Sequence, residues 1–458
     1  MSHGSGPFRP ATKLDSPSPI VTDDRRLSSA PALWVVVGAV FLIGLIVRVV
    51  ALDAPPGQAT VAATRWRPGE YAAYLENDEK IYIALTEQLE AGKGYTLQGH
   101  PILLKPWIIR EQYDQPLFFH PPGGIELFWL MHRLAGDAGY ALVQVFCFAI
   151  FFCSALLLGW LVLQPLRATA VLTLAVLSAF TPIMAHVAGR FWLDGPLLAF
   201  STAAAAVFLL GLNRRSSLLV CLAAVLLGYA SLIKLTAVLV LPGIIVVAWA
   251  ITPREEYRSL VSRSLLFVAI AGLIQLPWEI WQWRVVGSAF PVWAGKPAEP
   301  LVETNPYVHY LTVVRSPWAY VGLLPQVVWT LVPSLCLLGM QWRDRELRRR
   351  GVALVFWIVL VVGIHVVLGA SGYSKVLRYV ILVVPATVVL FSLVAGGAVQ
   401  AIHEGRWLSG GRNATIAILL LAIVGFGLEV AQGLETSMVD NRMIDLIRPL
   451  PVLDWILP

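Results

Sequence analysis

Apolar residues in this chain come in runs close to twenty residues long, separated by short polar stretches. A helix rising about 1.5 Å per residue needs a run of that length to cross roughly 30 Å of hydrocarbon. The runs at 32–52, 138–163, 168–187, 194–212, 216–233, 235–251, 263–283, 318–341, 351–370, 379–401 and 413–431 therefore predict eleven transmembrane helices. The stretch 119–135 is apolar but shorter, and it predicts a juxtamembrane or re-entrant helix. None of the runs alternates apolar with polar residues, as the wall of a transmembrane β-barrel requires. One polar segment also carries a helical pattern. Ile81-Tyr82, Ala84-Leu85 and Leu89 follow Asp78-Glu79 at the spacing of an amphipathic helix over about 79–91, stopped by Gly92, with Asp78 at or near its N-cap. The fold class expected is an all-α polytopic membrane protein with amphipathic juxtamembrane helices in its first outer loop.

Charge orients these helices. If 119–135 does not cross, the inner loops carry Arg167, then Arg214-Arg215, then Arg254, Arg258 and Arg263, then Arg343, Arg345 and Arg348 to Arg350, and last Arg406 and Arg412. All are short loops, where the excess of basic residues on the cytoplasmic side is a reliable guide. The N-terminus is then inside and the C-terminus outside. The long loops 53–118 and 284–317 face outward, together with the turns Arg190–Asp194 and Tyr373–Arg378.

Composition agrees. The chain of 458 residues is 57% hydrophobic and only 14% charged, with a mean hydropathy of +0.72. The net charge of +6 lies in the loops that set topology, so it is no footprint for nucleic acid. All four cysteines (Cys147, Cys153, Cys221, Cys336) sit in apolar runs without metal-ligand spacing and read as small buried hydrophobes. Residues 1–30, rich in Pro, Ser and charge, are expected to be a disordered cytoplasmic segment. Residues 31–431 are expected to form the transmembrane domain, and 432–458 a short outer tail.

A few polar residues stand out against this apolar ground. Acids at a membrane edge are costly, and by default they mark a functional site. Asp78 is either a helix cap or a catalytic carboxylate, and one residue can serve both roles. His120-Pro121-Pro122-Gly123 starts the short helix and is a structural turn or a ligand contact. Arg190 and Asp194, four apart, form an ion pair in the bland reading. In the sharper one Asp194 organises a site and Arg190 meets an anion. Lys234, alone between two short runs, either snorkels to outer headgroups or binds phosphate. Lys375 and Arg378 are basic residues on the wrong face, with no acid in their own turn, and an anionic ligand would explain them.

The ordered set Asp78-Glu79-x-x-Tyr82, His120-Pro121-Pro122, Arg190-x-x-x-Asp194, Lys234-Leu235-Thr236 and Arg378-Tyr379 running to Pro385 resembles the GT-C membrane glycosyltransferases. The likeness is to the family 39 group of protein O-mannosyltransferases, lipid A aminoarabinose transferases and lipopolysaccharide core transferases. It spans about 60–400. It implies an inverting transferase of the inner (plasma) membrane that takes a sugar from a polyprenyl-phosphate donor on the periplasmic or outer face. The acceptor would be a lipid, a glycan or a protein. It further implies Asp78 as general base and Asp194 as the second acidic position, with Lys375 and Arg378 on the donor phosphate. Two features depart from the family pattern: a longer stretch between Arg48 and Asp78, and no large soluble C-terminal domain.

The residues themselves fit that chemistry. A single displacement needs one base for the acceptor hydroxyl and positive charge for the departing phosphate. Lys234, Lys375 and Arg378 are the candidate cations, with Arg190, Tyr82 and His120 as further substrate contacts. No cofactor is required. A divalent metal, if used, would fall to Glu79 and His120. The alternative reading is a transporter or flippase of polyprenyl-linked substrates. Transporters often carry paired inverted repeats with broken helices, and none is visible here. A non-catalytic assembly subunit is the third reading, which the clustered acids and bases disfavour.

Overall fold

The computed structural model describes residues 31–51, 77–102, 120–163, 167–287, 321, 324–325, 328–370 and 377–438. Among them all regular structure is helical, as expected. The order begins α1 (Pro31–Ala51), α2 (Asn77–Glu90), α3 (Gly123–Ala135), α4 (Ala138–Val162), α5 (Ala168–Phe180), α6 (Pro182–Ala188), α7 (Asp194–Asn213) and α8 (Ser217–Ile233). A 3-10 turn, Leu235–Leu239, leads into α9 (Val240–Ile251). Then come α10 (Tyr257–Val286), α11 (Leu331–Met340) and α12 (Arg345–Ala370). A second 3-10 segment, Leu377–Val383, runs into α13 (Val384–His403), and α14 (Gly411–Met438) follows.

The predicted apolar runs are largely helical where they are described. Among the described residues seven helices are long and apolar enough to cross by length and composition, or eight if the bent pair α5 and α6 makes one span, against eleven expected runs, of which 318–341 is described only in part. The runs 216–233 and 235–251 give α8, of 17 residues, and a stretch of 3-10 and α-helix in Leu235–Ile251, both below spanning length. Lys234 and Thr181 mark where these runs depart from one continuous α-helix. The 119–135 helix is present as the short α3. The last helix continues to Met438, past its predicted end at 431. Residues 1–30 and 439–458 lie outside the described residues, as do 52–76, 103–119 and 288–320, which take in most of the two long loops expected to face outward. Only Cys147 of the four cysteines is buried, and Cys153 faces outward from the bundle.

The apolar windows of α7 and of the span containing α13 are 83% buried, against 22% for α1 and α14, so the first two form the centre of the bundle. Small residues make this packing close: α7 carries Ser201-Thr202-Ala203-Ala204-Ala205-Ala206 along its buried length. The basic loops gather at one end of the bundle. Arg349 donates to the Trp249 and Thr252 carbonyls, Arg350 to that of Val162, Arg167 to that of Gly396, and Arg215 pairs with Glu256. These loops are the ones the charge pattern assigns to a single face.

The run 168–187 is broken at Thr181-Pro182, where α5 and α6 meet at 43°. Proline at the first turn of α6 cannot donate to the preceding helix. In hydrocarbon, freed backbone groups must find partners inside the protein. Arg48, wholly buried in α1, donates to the Ala179 carbonyl at 2.5 Å with its guanidinium 5.0 Å from the centre of the Phe148 ring. Glu429, wholly buried in α14, accepts from Thr181 Oγ1 at 2.8 Å, and its second oxygen accepts from Thr330 Oγ1 at 2.7 Å and Thr330 N at 2.9 Å. Thr330 is the N-cap of α11, so one carboxylate joins the broken span, α11 and α14.

Beside this joint α14 lies so close to Phe180 that a Cβ on Gly433 would sit 1.6 Å from the Phe180 carbonyl oxygen. Gly433→Ala should therefore destabilise the purified protein by about 1–3 kcal/mol, the range for overpacking a close contact. Gly427→Ala, with nothing within 4 Å of the new methyl, should leave thermal unfolding in detergent unchanged.

Candidate active site

At the end of the bundle opposite the basic loops, four charges from four segments form an alternating chain. Asp78 in the first turn of α2 pairs with Arg378, 300 residues away, at the start of the 3-10 segment before α13. Arg378 Nε lies 3.9 Å from Asp194 Oδ2 at the start of α7. Asp194 Oδ1 in turn accepts from Lys234 Nζ at 2.8 Å. The order is acid, base, acid, base. Ions taken out of water are tolerated when each has a partner and its remaining hydrogen-bonding groups are met.

The burial of the four is unequal. The side chains of Asp194, Lys234 and Arg378 are 2%, 6% and 9% exposed, whereas that of Asp78 is 37% exposed. Desolvation by the surrounding protein raises the Asp78 pKa. The charge and hydrogen bond of Arg378, with Lys234 behind it, outweigh this and hold the carboxyl below its ordinary value. Asp78 is thus an ionised base open to solvent, at the end of a buried charge chain.

Aromatic rings set the cations. Arg378 lies 4.0 Å from the centre of the buried Trp192 ring, near enough for a strong cation–π contact, and Lys234 Nζ lies 5.2 Å from that of Tyr379. Trp192 is edge-on to His186 at 5.0 Å, and its carbonyl accepts from Gln144 Nε2 at 3.1 Å. Glu79, fully buried, points away from Asp78. It accepts from the Phe191 N–H at 3.0 Å and stands 3.6 Å from Arg190 Nη1, tying α2 to the turn that presents Trp192 and Asp194. The glycines that open α3 allow the remaining wall to close. A Cβ on Gly123 would meet the Leu232 carbonyl at 2.9 Å, and Tyr229 donates to the Gly123 carbonyl at 2.9 Å. That contact brings His120 beside the end of α8. Burial, then Lys234, push the His120 pKa down to about 3, so its ring is neutral at physiological pH. The Tyr82 ring, 6.3 Å from that of His120, has its phenol pKa raised by burial and by Asp78 and stays protonated.

The residues singled out in the sequence thus largely converge: Asp78, Tyr82, His120, Asp194, Lys234 and Arg378 share one site. Lys375 lies outside the described residues. Several expectations change. The helix starts at Asn77, which places Asp78 inside its first turn with its carboxylate on Arg378. Arg190 and Asp194 each take an ion-pair partner from another element, because the turn points them to different sides of Trp192. Lys234 is buried on Asp194, so it does not snorkel to the headgroups. Arg378 is not a basic residue without acids, since Asp78 and Asp194 reach it from distant segments. Of the two residues to which a metal would fall, Glu79 accepts from the Phe191 N–H and faces Arg190. No group of three His, Cys, Asp or Glu side chains able to hold a metal occurs among the described residues. Trp192 and Gln144 escaped the sequence reading. The signals were there, in the one tryptophan between Arg190 and Asp194 and the one amide in the run 138–163.

With this geometry in hand, the comparisons are informative. Residues 119–281, from just before α3 to near the end of α10, match the family model described as dolichyl-phosphate-mannose-protein mannosyltransferase. The fold is similar to that of ArnT from Cupriavidus metallidurans in the apo state, with 17% identity, a TM-score of 0.51, and 90% of this chain and 78% of that chain covered. It is likewise similar to ArnT from the same organism bound to undecaprenyl phosphate (16%, 0.52, 88% and 77%). The Archaeoglobus fulgidus oligosaccharyltransferase tethered with an acceptor peptide matches at 15% identity and a TM-score of 0.54, over 88% of this chain and 55% of that one. No curated protein sequence matches significantly. The chain has the fold of the GT-C membrane glycosyltransferases.

The buried pair generates a test of the site's construction. Asp194→Asn leaves the buried Lys234 without its carboxylate and should destabilise by about 3–5 kcal/mol, whereas Lys234→Met leaves Asp194 with Arg378 at 3.9 Å and should cost less. The double variant should lose clearly less than the sum, measured by thermal unfolding in detergent as a double-mutant cycle.

Proposed function

We propose that the chain is an inverting glycosyltransferase. It moves a sugar from a polyprenyl-phosphate donor to a hydroxyl or phosphate of a lipid, glycan or protein acceptor at the outer, periplasmic face of the inner membrane. The observation that carries this reading is that Asp78 alone of the four linked charges is open to solvent, with a buried guanidinium against it. ArnT is known in complex with undecaprenyl phosphate and the oligosaccharyltransferase with an acceptor peptide, which supports a lipid-linked donor and a separate acceptor here.

In this mechanism the Asp78 carboxylate takes the acceptor's proton as its oxygen attacks the anomeric carbon. The bond from that carbon to the phosphate oxygen breaks, and its electron pair leaves with the polyprenyl phosphate. One displacement inverts the centre, and Asp78 later returns its proton to water. Arg378 begins as the counter-ion of Asp78. As negative charge grows on the leaving phosphate, Arg378 turns part of its fork toward it, and Asp78 becomes the stronger base as that contact loosens. Asp194 and Lys234 keep Arg378 in place, and Trp192 limits the plane in which it turns.

Membranes carrying the protein, supplied with radiolabelled polyprenyl-phosphate sugars, should form labelled product. Asp78→Asn should reduce turnover by about 100-fold or more while the protein still inserts, because the amide cannot accept the proton. Full turnover by that variant would end the proposal. The pH profile is a second check. Asp78 acts when deprotonated, and its lowered pKa in the free protein puts the acid limb of kcat/KM below the ordinary carboxylate range. Arg378→Met removes the cation that lowers it, so the limb should move to higher pH, while Arg378→Lys should hold the limb and restore turnover in part. Facing is tested separately. A membrane-impermeant thiol reagent added to spheroplasts should label a cysteine placed at the exposed Lys93 and spare one placed at the exposed Arg254.

A further inference from the structure

The end of the bundle opposite the candidate active site holds a cavity of about 400 Å³, within the range of small-molecule pockets. It opens between the α4–α5, α11–α12 and α13–α14 junctions. Helix α13, of 20 residues, runs from beside Arg378 to this cavity, so the two sites are separated by about 30 Å.

Four arginines line it: Arg167, Arg343, Arg350 and Arg406. The two lining acids are already engaged. Asp344 Oδ1 accepts from the N–H groups of Glu346 and Leu347 at 3.1 Å each, capping α12, and Glu346 pairs with Arg350 at 3.3 Å. Arg406 pairs with Glu404. Arg167 spends one nitrogen on the Gly396 carbonyl at 2.8 Å and feels the charges of Glu404 and Asp344 from a distance, and neither it nor Arg343 makes an ion-pair contact with a carboxylate among the described residues. At the rim Trp407 is half exposed, as tryptophans are at the headgroup level of a bilayer. Topology accounts for arginines at this end. It does not account for a cavity with four arginines around it, two of them without a direct ion-pair contact among the described residues.

We propose that this cavity binds a phosphate group, carried by an anionic lipid headgroup or by a small soluble phosphate. Arginine suits this ligand because its planar fork can bind two phosphate oxygens at once. Basic pockets between transmembrane helices on the cytoplasmic side hold anionic headgroups in this manner. The inference does not depend on the reaction proposed for the other end.

The test uses the purified full-length protein in non-ionic detergent, titrated with short-chain phosphatidylglycerol, the matching phosphatidylcholine and inorganic phosphate, with binding read by native mass spectrometry. Phosphatidylglycerol should bind and phosphatidylcholine should not. Displacement of phosphatidylglycerol by inorganic phosphate would show that any phosphate is accepted, and failure to displace it would assign the site to the lipid headgroup. Arg343→Gln/Arg406→Gln, at two exposed positions, should weaken phosphatidylglycerol binding about 25-fold, or about fivefold for each arginine. Arg254→Gln, outside the cavity, should bind as the parent does. Equal affinity of the unmodified protein for the two lipids would overturn the proposal, and so would a double variant that binds within twofold of the parent.

Discussion

Everything at this end of the molecule depends on keeping three charges out of water, and a fourth at its edge, without leaving any of them alone. Asp78, Arg378, Asp194 and Lys234 come from an amphipathic helix, a 3-10 segment, the start of α7 and the end of α8. No two of these elements are neighbours in sequence except α7 and α8. An unpaired ion at such depth is strongly destabilising, so the chain of charges holds those elements in register more firmly than apolar packing alone. The outer helix α2 is secured twice, through Asp78 to Arg378 and through Glu79 to the Phe191 backbone. The solvent-open carboxylate is therefore attached to a rigid frame on one side and free on the other.

The same constraint acts on the backbone farther down. At the Thr181 break the protein commits a buried arginine and a buried glutamate to backbone and hydroxyl partners, not to each other's charge. The break also redirects the chain. Without the bend, α6 would continue along α5, and the turn bearing Trp192 would not arrive beneath Arg378. An irregularity that is costly in lipid is thus what brings an aromatic platform to the site.

The all-helical, membrane-embedded class was legible because run length and loop charge are local properties. Asp78, Asp194, Lys234 and Arg378 were legible because polar residues stand out in an apolar chain. Their pairing was not. Arg378 looked unsatisfied because both of its acids lie far away in sequence, and Arg190 with Asp194 looked like a pair because their spacing suits one. Trp192 was hidden by its ordinariness, since a tryptophan in a membrane protein is expected at an interface and only the fold shows it buried under a guanidinium. The break inside the run 168–187 was hidden for a related reason: Thr181-Pro182 interrupts hydrogen bonding without much lowering the hydropathy around it.

The shortness of α8 has a consequence for what fixes its length. Its 17 residues rise only about 26 Å, against roughly 30 Å of hydrocarbon. The helix stops at Lys234, whose backbone is extended and whose ammonium is held on Asp194. An ion pair, not the supply of apolar residues, therefore sets where the helix ends, and the apolar run that follows starts again as the 3-10 turn Leu235–Leu239.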